Sequence, residues 1–161
     1  MRKNKKTENM NAIPKSIEGI FKDNPSMRIP IFQRDYSWKR DNWKELWNDI
    51  KIGFNNQSKH YLGSIVLVEN DDVMEIVDGQ QRLTTISILY LAIISNFKEL
   101  IDNGIDVMEN QSRAQDIKQL ICETDLYDMT STNKLQLNEN NNIVYSEYLV
   151  KNKIPSAKAG L

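Results

Sequence analysis

The sequence predicts an α/β (α+β) domain in which helices pack around a small mixed sheet, followed by a partly helical C-terminal extension. Three observations carry this reading. The alternating, β-branched run Met74-Glu75-Ile76-Val77 leads through Asp78-Gly79 straight into a long apolar helical stretch. Two runs of strand length, 61–68 and 73–77, flank the turn residues Asn70-Asp71-Asp72, the pattern of a hairpin. Apolar residues at helical spacing recur on both sides of that hairpin, near 16–22, 42–54 and 79–101.

In chain order, residues 1–14 are polar and basic and read as a flexible tail. Ser16 caps a short helix carrying Ile17, Ile20 and Phe21, and Asp23-Asn24-Pro25 stops it. Met27 to Phe32 reads as a strand, and Pro30 within it requires either a sheet edge or a bend toward a pocket. The turn Gln33-Arg34-Asp35-Tyr36-Ser37-Trp38 is dense in binding groups. It suits either a packed salt bridge at the core edge or a pocket wall in which a guanidinium meets phosphate and a ring stacks on a base. Asp41 caps the next helix, where Trp43, Leu46, Trp47 and Ile50 read as core anchors.

Tyr61 to Val68 is almost continuously apolar and predicts a strand buried on both faces. Gly63 within it marks either a close approach by a ligand or another backbone, or a bulge. His60, just before the strand, is more naturally a strand-end residue than a catalyst, and it is carried as a further candidate with Gly63, Ser64 and Asp35. At the end of the hairpin, Asp78 is placed to cap the helix by accepting an N–H two or three residues on, with Gln81 as its capping-box partner. A strand entering a helix start that bears two amides and Arg82 is suited to bind phosphate.

Beyond the long helix, residues 102–116 are polar and read as a linker, with another helical turn or two at Ile117, Leu120 and Ile121. Lys134 to Leu137 suggests a short strand. Ile143, Tyr145, Tyr148 and Leu149 suggest an amphipathic helix with little to pack against. The expected organisation is a tail at 1–14, a nucleotide-binding domain at 15–104, and a helical extension at 105–161 that begins a second part.

Composition bounds the chemistry. The 161 residues are 40% hydrophobic and 27% charged, ordinary for a globular domain. Residues 1–60 hold 13 Lys and Arg against 7 Asp and Glu, whereas residues 61–161 hold 8 against 15, an asymmetry in the direction of nucleic-acid contact near the N-terminus. With Cys122 as the one cysteine and His60 as the one histidine, the chain has no internal disulfide, cysteine zinc cluster or multi-histidine metal site. The basic N-terminal segment lacks the apolar core of a signal peptide. Thr84, Thr85, Ser87, Ser95, Asn96, Lys98 and Glu99 interrupt the apolar run, so a buried helix in a cytoplasmic protein is expected, with no membrane partner.

Ile29 to Trp38, His60 to Leu67 and Ile76 to Thr85, in this order, resemble the N-terminal domain of GmrSD-type modification-dependent restriction proteins. The resemblance implies a ParB/sulfiredoxin-like fold and a nucleotide-binding domain, often NTP-hydrolysing, that serves as sensor in bacterial anti-phage restriction of modified DNA. It places the family's DGQQR motif on Asp78, Gly79, Gln80, Gln81 and Arg82, with Arg82 tied to hydrolysis, and its proline and Gln-Arg segment on Pro30, Gln33 and Arg34. Arg82, Gln81 and Gln80 are thereby the candidate catalytic residues. Asp78, Gly79, Gln33, Arg34, Pro30 and Tyr36 are the candidate nucleotide contacts. GTP, UTP, CTP or ATP with Mg²⁺ is the expected ligand, and Asp78 or Asp35 the carboxylate within reach of the ion. DNA, including modified phage DNA, and a nuclease domain or subunit outside this chain are the expected partners, with a second copy of the chain left open. Family nucleases of the HNH type need histidines absent here, so this chain is not expected to cut DNA itself. The alternative is a non-catalytic ParB-like DNA-binding or protein-interaction module.

Overall fold

A computed structural model describes residues 11–57, 59–124 and 131–151. Residues 1–10 of the expected tail, and the side chains of Tyr148 and Leu149, lie outside that description. Ser16 caps α1 (Ile17–Asp23), its Oγ accepting from Gly19 N at 3.0 Å. The chain continues through β1 (Met27–Arg28), α2 (Arg40–Asn55), β2 (Val66–Asn70), β3 (Val73–Asp78) and α3 (Gln80–Asp102). It is completed by α4 (Val107–Ile121), β4 (Cys122–Thr124), β5 (Ser131–Asn133), β6 (Leu135–Gln136) and α5 (Glu139–Lys151).

The main sheet has the order β2-β3-β1-β6, antiparallel between β2 and β3 and parallel on both sides of β1, so the expected mixed sheet is present. Two-residue β1 is central and not at an edge. Met27 N and Ile29 N donate to Lys134 O and Gln136 O, and Pro30, which has no N–H to offer a sheet, follows immediately. The chain therefore bends, as the second reading of Pro30 required, and Gln33 N closes the turn on Pro30 O at 3.0 Å. Ile31 and Phe32, expected in the strand, stand in solvent.

The strand expected over 61–68 is shorter than its hydrophobicity suggests. Only Val66–Asn70 pairs, it forms the edge of the sheet, and its outer half is exposed rather than buried on both faces. Trp43 and Trp47 also depart from expectation. Leu46 is the buried residue of α2, while the two tryptophans remain 48% and 50% exposed.

Residues 102–116 form most of a helix instead of a linker. Asn103 ends α3, and Gly104 (φ +72°) makes a Schellman turn with Gly104 N donating to Ile101 O and Ile105 N to Leu100 O, both at 2.9 Å. α4 then folds back against α3. Its polar sequence conceals this because the buried Asn110 is satisfied locally, donating to Ile105 O and accepting from Arg113, each at 3.0 Å.

The core holds Phe21, Met27, Ile76, Leu83, Ile121 and Leu135, each fully or almost fully buried. A side chain of this size contributes about 1.5–3 kcal/mol on full burial. Leu137 and Tyr145 extend the core, so the helix at 139–151 does have a surface to pack against. The Tyr145 hydroxyl pairs with Ser87 in the interior, and burial raises its pKa above the usual phenol value. Burial likewise pushes the Cys122 thiol up. With 23 residues and a mean hydropathy of 1.3 over its most apolar window, α3 also reaches membrane-spanning length; it is buried less than expected, since its buried residues all lie between Gln80 and Ser87 and the rest of the helix is partly or wholly exposed.

Candidate functional site

The sequence-predicted residues converge on the junction of β3 and α3. Gly79 takes φ +84°, so the chain turns sharply from strand to helix. A Cβ there would stand 2.8 Å from Ile65 Cγ1 and 3.1 Å from Ser64 O, and only glycine admits the 64–65 segment this close. Asp78 does not cap as expected. Its Oδ1 accepts from the adjacent Gly79 N at 2.8 Å, and α3 has no side-chain cap.

Gln81 does not serve as a capping-box partner. It is 8% exposed and grips the 33–38 turn, its Oε1 accepting from Ser37 N (2.8 Å) and Trp38 N (3.3 Å) and its Nε2 donating to Asp35 O (3.2 Å). Gln80, 7% exposed, donates from Nε2 to Arg34 O at 3.4 Å. Its Oε1 is buried without a partner among the described residues, beside a narrow cavity lined in part by Arg34, Tyr36, Thr84 and Asn138. A third amide, Gln33 Nε2, donates to Val77 O at 3.1 Å and holds the other end of the turn to β3.

Arg82 faces the opposite flank. Its Nη1 donates to Ser64 O at 3.0 Å, and the guanidinium lies where a Cβ on Gly63 would be, 2.5 Å from Nη2. Gly63 (φ +104°) therefore serves a close approach, and what approaches is Arg82. The sheet's register irregularity falls later, between Val66 and Leu67. Ser64 Oγ pairs with Tyr61 OH at 2.7 Å.

Tyr36 is wired into the same junction. Thr85 Oγ1 donates to Gln81 O (2.7 Å), which leaves Tyr36 OH as donor to Thr85 (2.8 Å) and acceptor from Trp43 Nε1 (2.6 Å). Asp35 Oδ1 accepts from Asn138 Nδ2 (2.5 Å) and Asn141 Nδ2 (3.3 Å), joining the turn to the start of α5. These asparagines belong to the site's surroundings yet escape a reading of the sequence, since a contact across about a hundred residues leaves no local pattern. His60 is elsewhere engaged, its Nε2 pairing with Asp49 of α2 at 3.1 Å. Pro30 is buried at the base of the turn.

Among the described residues no three His, Cys, Asp or Glu side chains cluster as a metal site. Mg²⁺ in phosphate sites commonly uses one or two carboxylates together with the phosphates themselves, and exposed Asp78 at the helix start fits that need.

A family model described as the GmrSD restriction endonuclease, N-terminal domain, matches residues 17–158. The chain belongs to this family. A comparison with curated proteins finds no match. As a GmrSD N-terminal domain it is a domain of a DNA-targeting restriction system. The match runs from α1 into the segment beyond α5, including β6 and the Asn138–Asn141 start of α5 along with the β3–α3 junction.

Proposed function

We propose that this GmrSD N-terminal domain binds a nucleoside triphosphate at the β3–α3 junction, hydrolyses it, and thereby acts as the sensor that controls a nuclease in another domain or subunit. One observation carries the reading: Gly79, Gln80, Gln81 and Arg82 form a helix start onto which both the 33–38 turn and the 63–65 segment close. Such a start offers unpaired N–H groups and the positive end of the helix dipole to phosphate.

In hydrolysis, water adds to the γ-phosphorus and releases its proton to solvent, the bond to the β–γ bridging oxygen breaks, and nucleoside diphosphate and inorganic phosphate leave. Arg82 offsets the charge developing on the phosphoryl oxygens, using guanidinium N–H groups other than the one held by Ser64. Of the two glutamines, Gln81 is occupied by the turn, and Gln80 keeps an unpartnered oxygen for orienting water. Asp78 would hold Mg²⁺, which when bound neutralises phosphate charge.

The alternative, a ParB-like module that binds without turnover, is favoured by one feature: Gln81 and Arg82 already have backbone partners and so have clear structural work. Phosphate release from GTP, ATP, CTP and UTP with Mg²⁺, measured on the wild type and Arg82→Ala, separates the two. Release from at least one nucleotide that the variant loses by about 100-fold or more supports the NTPase, by analogy with the loss of a single oxyanion donor. Thermal stabilisation by nucleotide without release supports the binding module, and unchanged release in the variant removes Arg82 from the mechanism.

A further inference from the structure

We infer that the exposed face of α2 is a binding surface for single-stranded nucleic acid. At 3.6 residues per turn, Arg40, Trp43, Lys44, Trp47, Lys51 and Phe54 fall within an arc of about 100°. All six are exposed, Trp43 and Trp47 by about half and Phe54 by 82%. The helix's acids Asp41, Glu45 and Asp49 all lie outside this arc, and Leu46, which is buried, marks the core side. Three cations and three aromatic rings therefore share one solvent-facing strip.

The charge decides the occupant. Within the described residues Arg40 and Lys51 have no ion-pair partner, and Lys44 has only the exposed Asp41 at 3.6 Å. A protein partner burying this strip would have to desolvate three cations, two of them unpaired, whereas phosphates supply the opposite charge at intervals along a strand. The rings supply the second half of the match, because unpaired bases stack on aromatic side chains irrespective of sequence, and a duplex keeps those base faces covered. Trp43 and Trp47 are about 6 Å apart along the axis, and Phe54 lies about 10 Å further on. At that end Phe54 and Lys59 line a shallow open depression with Gly53, Asn55 and Gln57, which adds a fourth cation.

The strip meets the β3–α3 junction at one point, where Trp43 Nε1 donates to Tyr36 OH, and its test needs no nucleotide. Anisotropy of a fluorescein-labelled 12-mer of deoxythymidine is followed as the full chain is added, from 50 to 200 mM salt, with a labelled duplex as comparison. Saturable binding is expected, tighter for the single strand. The slope of log K against log salt should be about −2 to −3, from the three cations of the strip and Lys59 at about 0.7 each. Trp47→Ala should weaken binding about 10-fold, within the range that loss of one stacked base gives. Arg40→Gln with Lys51→Gln should reduce the slope by about 1.4 and touches no buried residue, so it remains informative if Trp47→Ala unfolds. Absence of binding, preference for the duplex, or a slope that Arg40→Gln with Lys51→Gln leaves unchanged would each overturn the inference. So would concentration-dependent self-association abolished by Trp47→Ala, which would make the strip a contact between protein chains.

Discussion

Gly63→Ala is the most informative single change at the junction, because it acts on Arg82 without altering Arg82 itself. At φ +104° an alanine is strained wherever its methyl group points, at a cost of about 1–3 kcal/mol. The added Cβ would also sit 2.5 Å from Nη2 and 2.6 Å from Cζ of Arg82, far inside contact distance. The guanidinium is the mobile end of a long side chain, so it moves away and loses its bond to Ser64 O. A charge-assisted bond contributes about 1.5–3 kcal/mol when dry, and about 1 kcal/mol is reasonable with Ser64 exposed. The total loss is then about 2–4 kcal/mol, which for a chain of this length lowers Tm by about 4–16 °C. The assay is a set of thermal melts of the wild type, Gly63→Ala, Arg82→Ala and the double variant. With Arg82 shortened, the three atoms nearest the methyl group are gone while the backbone strain remains. Gly63→Ala should therefore cost about 1 kcal/mol less in the Arg82→Ala background, a coupling the cycle isolates. Equal cost in both backgrounds would refute the contact, and no cost in either would refute the backbone conformation as well.

Two further expectations follow from contacts already described. Gln81→Leu removes the acceptor of Ser37 N and Trp38 N and the donor to Asp35 O; it should cost about 1–3 kcal/mol, read as a lower urea midpoint at unchanged m, and an unchanged midpoint would show that the turn does not depend on this amide. Glu75 has its carboxyl held below the usual range, first by the hydrogen bond from Arg28 at 2.7 Å and then by Asn70. A pKa lowered on folding gives stability that is present above the unfolded carboxyl's pKa and is lost as pH falls through the folded value. Melting from pH 7 to pH 3 should show this loss, and Glu75→Gln should flatten its share of it; an identical pH profile for the variant would rule the pair out as a contributor.

How much of this the sequence discloses depends on how local each determinant is. The helices at 16–22, 42–54 and 79–101 are legible because a repeat of apolar residues lies within one segment, and the hairpin because its turn residues do, but of the expected caps only Ser16 holds: α2 starts after Lys39 with Asp41 inside its first turn, and Asp78 does not cap α3. Burial is less legible. Tyr61 to Val68 is apolar enough for a central strand, but the edge position of β2 follows from β1 and β6 filling the other side of β3, a matter of pairing between distant segments. α4 was hidden for the opposite reason, since its buried Asn110 has the composition of a loop and is reconciled with the interior only by Ile105 O and Arg113. At the site, the residue types at 78–82 announce a polar helix start. The partners that each amide takes are set by the folded turn at 33–38, and the capping roles assigned from spacing alone give way to them.

The three residues after Gly79 explain why the motif takes this form. Successive positions on a helix point about 100° apart, so Gln80, Gln81 and Arg82 leave the helix start in different directions and reach it from different sides. Here Gln80 and Gln81 take the consecutive carbonyls of Arg34 and Asp35 on one flank, and Arg82 takes Ser64 O on the other. The helix start is thus clamped between two segments, each held by side chains that also suit phosphate. A polyphosphate settling on this start must compete with, or extend, bonds that fix the 33–38 turn or the 63–65 segment. Asp35 carries the turn's position on to Asn138, just before α5, and to Asn141 within it, and Tyr36 carries it to Trp43 of α2. On the proposed nucleotide reading, a change at the junction would have two routes outward, through Asp35 to the start of α5 and through Tyr36 to α2.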